Sequence, residues 1–290
     1  MLEKNSTMIE HQWLVISIFL RSLYPILIRS LPTNLFTQSY LRFAALFTIT
    51  SAFLLYSKQL PSIQDFDVKY WKISFYMILH IFTSYISFLY LSPGVALTLY
   101  YLYPIFLYFQ STDHRQLYTV LGWLSLCLLG VIFTQWNLFS IRKNEPVRWI
   151  VLGVFCALIS AYTEAIFSYA VKYEKDKEQH PMEFLWWSHG LGFFLLTFLT
   201  PFAFHWKPLS SSLLIFGFNA IVGVFTLYLF VRSVEVLSVP HISGIVYLGV
   251  LFAYIYGWLL YREKIQWYHI VGTLCIFVGI RQLLKVEDSD

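Results

Sequence analysis

Polar and apolar positions along this 290-residue chain segregate into blocks. About 20 apolar residues at 1.5 Å each cross the hydrocarbon core of a bilayer. On that ruler the apolar blocks are 13–31, 35–56, 70–90, 94–111, 116–136, 147–171, 182–204, 210–232, 240–260 and 267–284. Each is expected to be a helix, because lipid offers no partner to an unpaired backbone N–H or C=O. The joints carry turn chemistry, as at Leu31-Pro32-Thr33-Asn34, Ser92-Pro93-Gly94 and Ser238-Val239-Pro240. Five blocks precede Asn137 and five follow it. The expected division is a polar N-terminal segment at 1–12, a first unit at 13–136, a linker at 137–146, a second unit at 147–284 and a tail at 285–290.

The two units resemble each other. From Asp113 the chain reads DHRQLYTVLG, and from Glu263 it reads EKIQWYHIVG, an offset of 150 residues. Pro93 and Tyr100 find counterparts in Pro240 and Tyr247, at an offset of 147. Self-similarity at one large offset reads as a duplicated domain. With five spans per copy, the second copy must enter the membrane upside down. The expected fold is therefore an all-α membrane protein of ten transmembrane helices, built as two inverted five-helix repeats, with its site near the midplane between them.

Composition narrows the functional classes. Charged residues make up 12% of the chain and hydrophobic ones 58%, where a soluble domain carries about 25% charge. The net charge of +4 forms no basic stripe of the kind nucleic acid requires. Cys127, Cys156 and Cys275 lie inside apolar blocks, too scattered for a zinc site and odd in number for a disulfide framework. No zinc-protease helix, nucleophile elbow or phosphate-cradling glycine loop is present, so the chain reads as a non-enzyme without cofactor or metal. The first block contains Arg21 and lacks a small-residue cleavage site, so it reads as a retained helix. With the N-terminus inside, eleven Lys and Arg lie on the inner side against seven outside, which favours cytoplasmic termini at both ends.

Ionisable residues deep in a span are functional candidates by default. Ser17, Arg21 and Tyr24 share one helical face, as do Gln38 and Arg42 in the second block. Tyr76, His80, Ser84 and Ser87 form a polar stripe on the third block, and Ser160, Glu164 and Ser168 another on the sixth. Asn219 marks the eighth block and Tyr247 the ninth. Such stripes on several apolar helices predict one shared polar cavity. Its candidate lining is Arg21, Tyr24, Gln38, Arg42, His80, Tyr100, Tyr103, Glu164, Asn219 and Tyr247, with Pro104 as a hinge. The duller reading is that Arg42 positions helices and that Glu164 pairs with Arg21 or Arg42 merely to fix packing. Tyr100, Tyr101 and Tyr103 offer ring faces suited to a flat or cationic solute.

Taken in order, these features resemble the drug/metabolite transporter superfamily, in its ten-helix members with two EamA-type domains. The resemblance spans 13–284. It rests on Arg42 early in the second helix, Pro104 in the fourth, and Tyr261-Arg262-Glu263 followed by Gly272 and Gly279, with Asp113 and Gly122 matching in the first copy. Leu251 stands where the second copy should carry proline, and the turn reads Arg-Glu in place of Gly-Glu. The resemblance implies an inner-membrane permease or exporter of a small polar metabolite, foremost an amino acid or related compound, working by alternating access. An exchanger of nucleoside-type or adenosyl metabolites is the alternative within the fold, and a non-transporting sensor or scaffold the alternative outside it. The expected partners are the solute, the bilayer and a coupling proton, without nucleic acid, in a monomer or homodimer.

Overall fold

Prolines and caps explain where the helices start, bend and stop. The computed structural model describes residues 2–62, 67–91, 93–111, 116–134, 136, 146–176, 178–205, 208–261 and 266–286. Asp113, Arg115, Arg262, Glu263 and the 137–145 stretch lie outside the described residues. Every regular element described is a helix. The first block is α1 (Leu2–Arg21) and α2 (Tyr24–Ser30). The polar 1–12 segment is thus already helical from Leu2. The second block is α3 (Leu35–Tyr56), capped by the Asn34 side chain accepting from Thr37 N at 2.7 Å. Lys58 ends it at φ 56°, with Gln59 N donating to Leu54 O at 2.9 Å. The third block is α4 (Val68–Tyr90).

The fourth block is broken into α5 (Pro93–Tyr100) and α6 (Tyr103–Gln110), and α7 (Leu117–Thr134) follows. The sixth is α8 (Val147–Tyr169), which runs into a π-helical turn at Ala170–Glu174. The seventh comprises α9 (Pro181–Thr197) and α10 (Thr200–Ala203). The eighth comprises α11 (Leu209–Phe218), a π-helical turn at Asn219–Gly223, and α12 (Val224–Val236). The ninth is broken into α13 (Val239–Ile245) and α14 (Leu248–Tyr261), and α15 (Trp267–Leu283) is the last.

Backbone hydrogen bonds run across each break, so the pieces form interrupted rods. Leu102 N donates to Leu99 O at 3.2 Å and Ile105 N to Leu102 O at 3.0 Å, and likewise Tyr247 N to Gly244 O at 3.2 Å and Gly249 N to Val246 O at 3.0 Å. Pro25, Pro104 and Pro201 follow three of the breaks, since proline lacks an N–H and clashes with the preceding turn. The break at Val246–Tyr247 has no proline after it. Tertiary contact marks it instead: the Tyr247 hydroxyl donates to Tyr101 O at 3.1 Å.

Among the described residues, six stretches are apolar and long enough to cross a membrane: Met8–Ile28, Leu35–Tyr56, Val68–Tyr90, Leu117–Thr134, Val147–Glu174 and Leu209–Val236. The protein is a multi-pass membrane protein. The principal packings are α7 with α15, α4 with α8, α3 with α9 and α1 with α12. Exchanging the first five blocks for the last five preserves this pattern. It maps α4–α8 onto α12–α1, α5–α8 onto α13–α1 and α6–α8 onto α14–α1, and returns α3–α9 and α7–α15 to themselves.

The α7–α15 contact is backbone on backbone. A Cβ at Gly272 would stand 2.5 Å from Gly130 O and 2.7 Å from Thr134 N. Small residues permit this approach, the usual basis of helix association in lipid.

Candidate functional site

The cavity forms where the broken rods meet. It offers about 110 Å³ to water-sized molecules, between the end of the first rod, the start of α3, the later turns of α4, and the breaks of the fourth and ninth rods. Arg21, Tyr24, Arg42, His80, Tyr100 and Tyr103 all line it.

The other expected residues lie elsewhere. Glu164 sits behind the wall, and Asn219 behind Tyr24. Tyr247 is fully buried against Tyr101, its ring centroid 5.8 Å away. The Gln38 amide donates to Ile28 O at 3.3 Å and Thr33 O at 3.2 Å, so it clasps the turn between the first and second rods. Pro104 occupies the first turn of α6, just past the break. Tyr85, Ser22, Val246 and Gly249 also line the cavity but stand outside the stripes read from sequence. Tyr85 adjoins Ser84 of one stripe, a signal lost among the chain's 21 tyrosines.

Two arginines face the cavity in different electrical states. Arg21 Nη2 is 2.7 Å from Glu164 Oε1, in a pair 18% and 1% exposed. The other carboxylate oxygen is 3.3 Å from His80 Nε2. The Arg21 guanidinium also covers the Phe230 ring at 4.7 Å. Its charge is therefore matched within the protein. Of the two partners that sequence offered Glu164, the structure selects Arg21.

Arg42 has no carboxylate within salt-bridge distance among the described residues. It is 7% exposed. Its guanidinium lies 4.7 Å over the Tyr24 ring, beside the Tyr85 hydroxyl. Its Nε is buried without a partner. A chain of hydrogen bonds fixes the ring beneath it: the Tyr24 hydroxyl donates to Asn219 Oδ1 at 2.7 Å, and Asn219 Nδ2 donates to Ile215 O at 2.8 Å. A Cβ at Gly223 would collide with that hydroxyl at 2.7 Å, so glycine is needed in this π-helical turn. π-Turns often mark functional positions in membrane and soluble helices alike.

Tyr100, Tyr101 and Tyr103 wall the cavity, with ring centroids 5.3 to 6.5 Å apart. On the face where the N-terminus lies, ion pairs tie the rods together. Lys175 Nζ reaches Glu235 Oε1 at 2.8 Å, Arg232 reaches Glu235 at 3.7 Å, Lys69 reaches Asp176 at 3.1 Å and Lys72 reaches Glu174 at 3.7 Å. His180 stacks there between Phe53 and Tyr228, at 5.3 and 6.2 Å. The molecule is thus tied shut at one face, and its cavity lies toward the other. Among the described residues no group of three His, Cys, Asp or Glu could hold a metal ion.

The cavity is thus enclosed by helices of a membrane protein. The EamA-like transporter family matches residues 151–284. That match supports membership of the drug/metabolite transporter superfamily of membrane transporters. A solved structure described only as "Crystal structure of protein" shares the fold, with a TM-score of 0.73 over 96% of each chain at 12% identity. Among curated proteins nothing matches.

Proposed function

We propose that the protein is a secondary transporter of a small polar organic metabolite, an amino acid or related compound, working by alternating access. The observation that carries this reading is the cavity that Arg21, Arg42, His80 and five tyrosines line between the two halves. A solute bound there touches both halves, so rocking one against the other would expose it to each side in turn. The exchange-preserving helix packing supports ten spans arranged as two inverted repeats. The proposed location is the cytoplasmic membrane with both termini inside, on the excess of inner Lys and Arg. A reporter fused after Asp290 that reads as external would remove that orientation.

The tyrosine wall favours a second reading, exchange of a nucleoside-type metabolite, because its ring faces suit a flat base. One experiment separates the readings. The full chain is reconstituted in proteoliposomes and flux is measured for radiolabelled amino acids and nucleosides. Flux of amino acids alone supports the first reading, and flux of nucleosides alone the second. No flux of either, from folded protein, would support a sensor or scaffold.

A further inference from the structure

We infer that the Arg42 guanidinium is the docking point for an oxyanion head group, so that the solute is an organic anion whose body rests against the tyrosine wall. The inference rests on the transporter reading for its purpose but on charge and geometry for its content.

A guanidinium withdrawn from water without a counter-charge is unstable, because burial removes hydration worth several kcal/mol. Proteins almost always pair such a group or leave it facing a ligand. Arg21 shows the paired case in this same cavity, with Glu164 at 2.7 Å. Arg42 shows the other. Its face is occupied by the Tyr24 ring, with only the neutral Tyr85 hydroxyl beside it. The buried Nε still lacks an acceptor. Nε and one Nη together form a fork that matches the two oxygens of a carboxylate or phosphate.

The scaffold is already set for that ligand. The Tyr24–Asn219–Ile215 chain of hydrogen bonds holds the ring under Arg42 and so fixes the guanidinium plane. Preorganisation of this kind lowers the ordering cost of binding. The rest of the lining suits an apolar or aromatic body, with Phe88, Val246 and the rings of Tyr100 and Tyr103.

A cationic group on the solute finds no equivalent provision. Glu164 is the carboxylate nearest the cavity among the described residues, and both of its oxygens are engaged by Arg21 and His80. An amino acid would therefore be held by its carboxylate, with its ammonium group dispensable.

The test compares charged and neutral members of matched pairs on the purified full-length protein. Thermal stabilisation is measured for benzoate against benzamide, L-leucine against L-leucinamide, 4-methylpentanoate against 4-methylpentanamide, and phenyl phosphate against phenol. The wild type should bind the anions roughly ten- to hundredfold more tightly than their neutral partners, the range of charge-assisted hydrogen bonds. L-leucine and 4-methylpentanoate should bind within a few fold of each other. The tighter of benzoate and phenyl phosphate identifies the head group as carboxylate or phosphate ester.

Arg42→Gln should bring anions and neutral partners to equal affinity, and Arg42→Lys should keep the preference at reduced strength. A wild type that binds no anion, or binds each pair equally, overturns the proposal even if Arg42→Gln fails to fold. A folded Arg42→Gln that keeps the full preference overturns it too. Failure of the transporter reading looks different: anion binding through Arg42 would persist while proteoliposome flux is absent.

Discussion

Gly122 and Gly272 occupy matching places in the repeated motif, yet replacing each with alanine should move stability in opposite directions. In α7, a Cβ at Gly122 meets nothing within 4 Å, and the position is exposed. Alanine there removes glycine's conformational penalty in a helix, worth about 1 kcal/mol. In α15, a Cβ at Gly272 would lie 2.5 Å from Gly130 O and 2.7 Å from Thr134 N, both backbone atoms. No rotamer can relieve that clash, so the helices must separate by roughly an ångström to reach ordinary contact. Overpacking of this kind costs about 1–3 kcal/mol, against the same helix gain of about 1. The separation also loosens neighbouring contacts, since Gly279 packs against Cys127 and Trp123 on the same seam. Gly272→Ala should therefore lose about 1–2 kcal/mol net, while Gly122→Ala should gain up to about 1. Thermal unfolding of the purified variants in one detergent reads the difference as a few degrees of separation. Gly272→Ala as stable as Gly122→Ala would refute the backbone seam between α7 and α15.

Other perturbations bear on the site and its closed face. Glu164→Gln should stay folded but melt lower: breaking a buried pair costs about 3–5 kcal/mol, and the partial exposure of Arg21 and its contact with Phe230 place this pair at the lower end. A melting temperature equal to that of the wild type would show that the pair does not brace α1 against α8. His180 is held below its ordinary value of 6.5 by burial first, and then by Arg232 and Lys175. Its neutral form is therefore the folded one, and its contribution is complete above 6.5 and lost as pH falls from there through its lowered folded value. The melting temperature should drop in that window, and His180→Asn, which keeps a side-chain cap, should flatten the drop; an unchanged slope would refute the assignment. Glu235→Gln removes the carboxylate shared by Lys175 and Arg232, about 1–2 kcal/mol or a 5- to 30-fold shift toward opening. In a background freed of native cysteines, maleimide labelling of a cysteine at the buried Ser168 should rise by that factor, and no rise would show that these pairs do not hold the face shut.

Much of the fold is legible in the residues because lipid imposes one rule on every span. The block 35–56 coincides with α3 (Leu35–Tyr56), since apolar length and the Asn34 cap both mark it. The breaks at Pro25 and Pro104 follow from the missing N–H. The break before Tyr247 is not readable locally, because a contact with Tyr101 accompanies it, distant in sequence. For the same reason the equivalence of Gly122 and Gly272 does not extend to packing. A repeated glycine says nothing about which face it occupies, and one points outward while the other meets Gly130. The site divides in a similar way. Arg21, His80 and Glu164 stand out as charged or titratable groups in apolar blocks, but the choice of Arg21 over Arg42 as the Glu164 partner depends on helix rotation. Gln38 misleads because it shares a helical face with Arg42, yet its amide reaches back to Ile28 and Thr33.

The charge balance of the cavity leads to a last prediction, about voltage. If Glu164 is ionised against Arg21 and His80 is neutral, the empty cavity keeps one positive charge, on Arg42. A monoanionic solute cancels it. The loaded cavity then crosses between its two states without net charge, while the empty cavity returns carrying one. A membrane potential acts on a moving charge with about 2.3 kcal/mol per 100 mV for full transit. It should therefore leave one-for-one exchange of a transported monoanion unaffected and change only net flux, which requires the empty return. Arg42→Gln reverses this assignment, since its loaded cavity would carry the solute's negative charge. Exchange by that variant, slower but measurable at high solute concentration, should become voltage-dependent. Proteoliposomes with the potential clamped by potassium and valinomycin allow both measurements. Equal voltage dependence of exchange in wild type and Arg42→Gln would mean that Arg42 does not carry the charge that the solute neutralises.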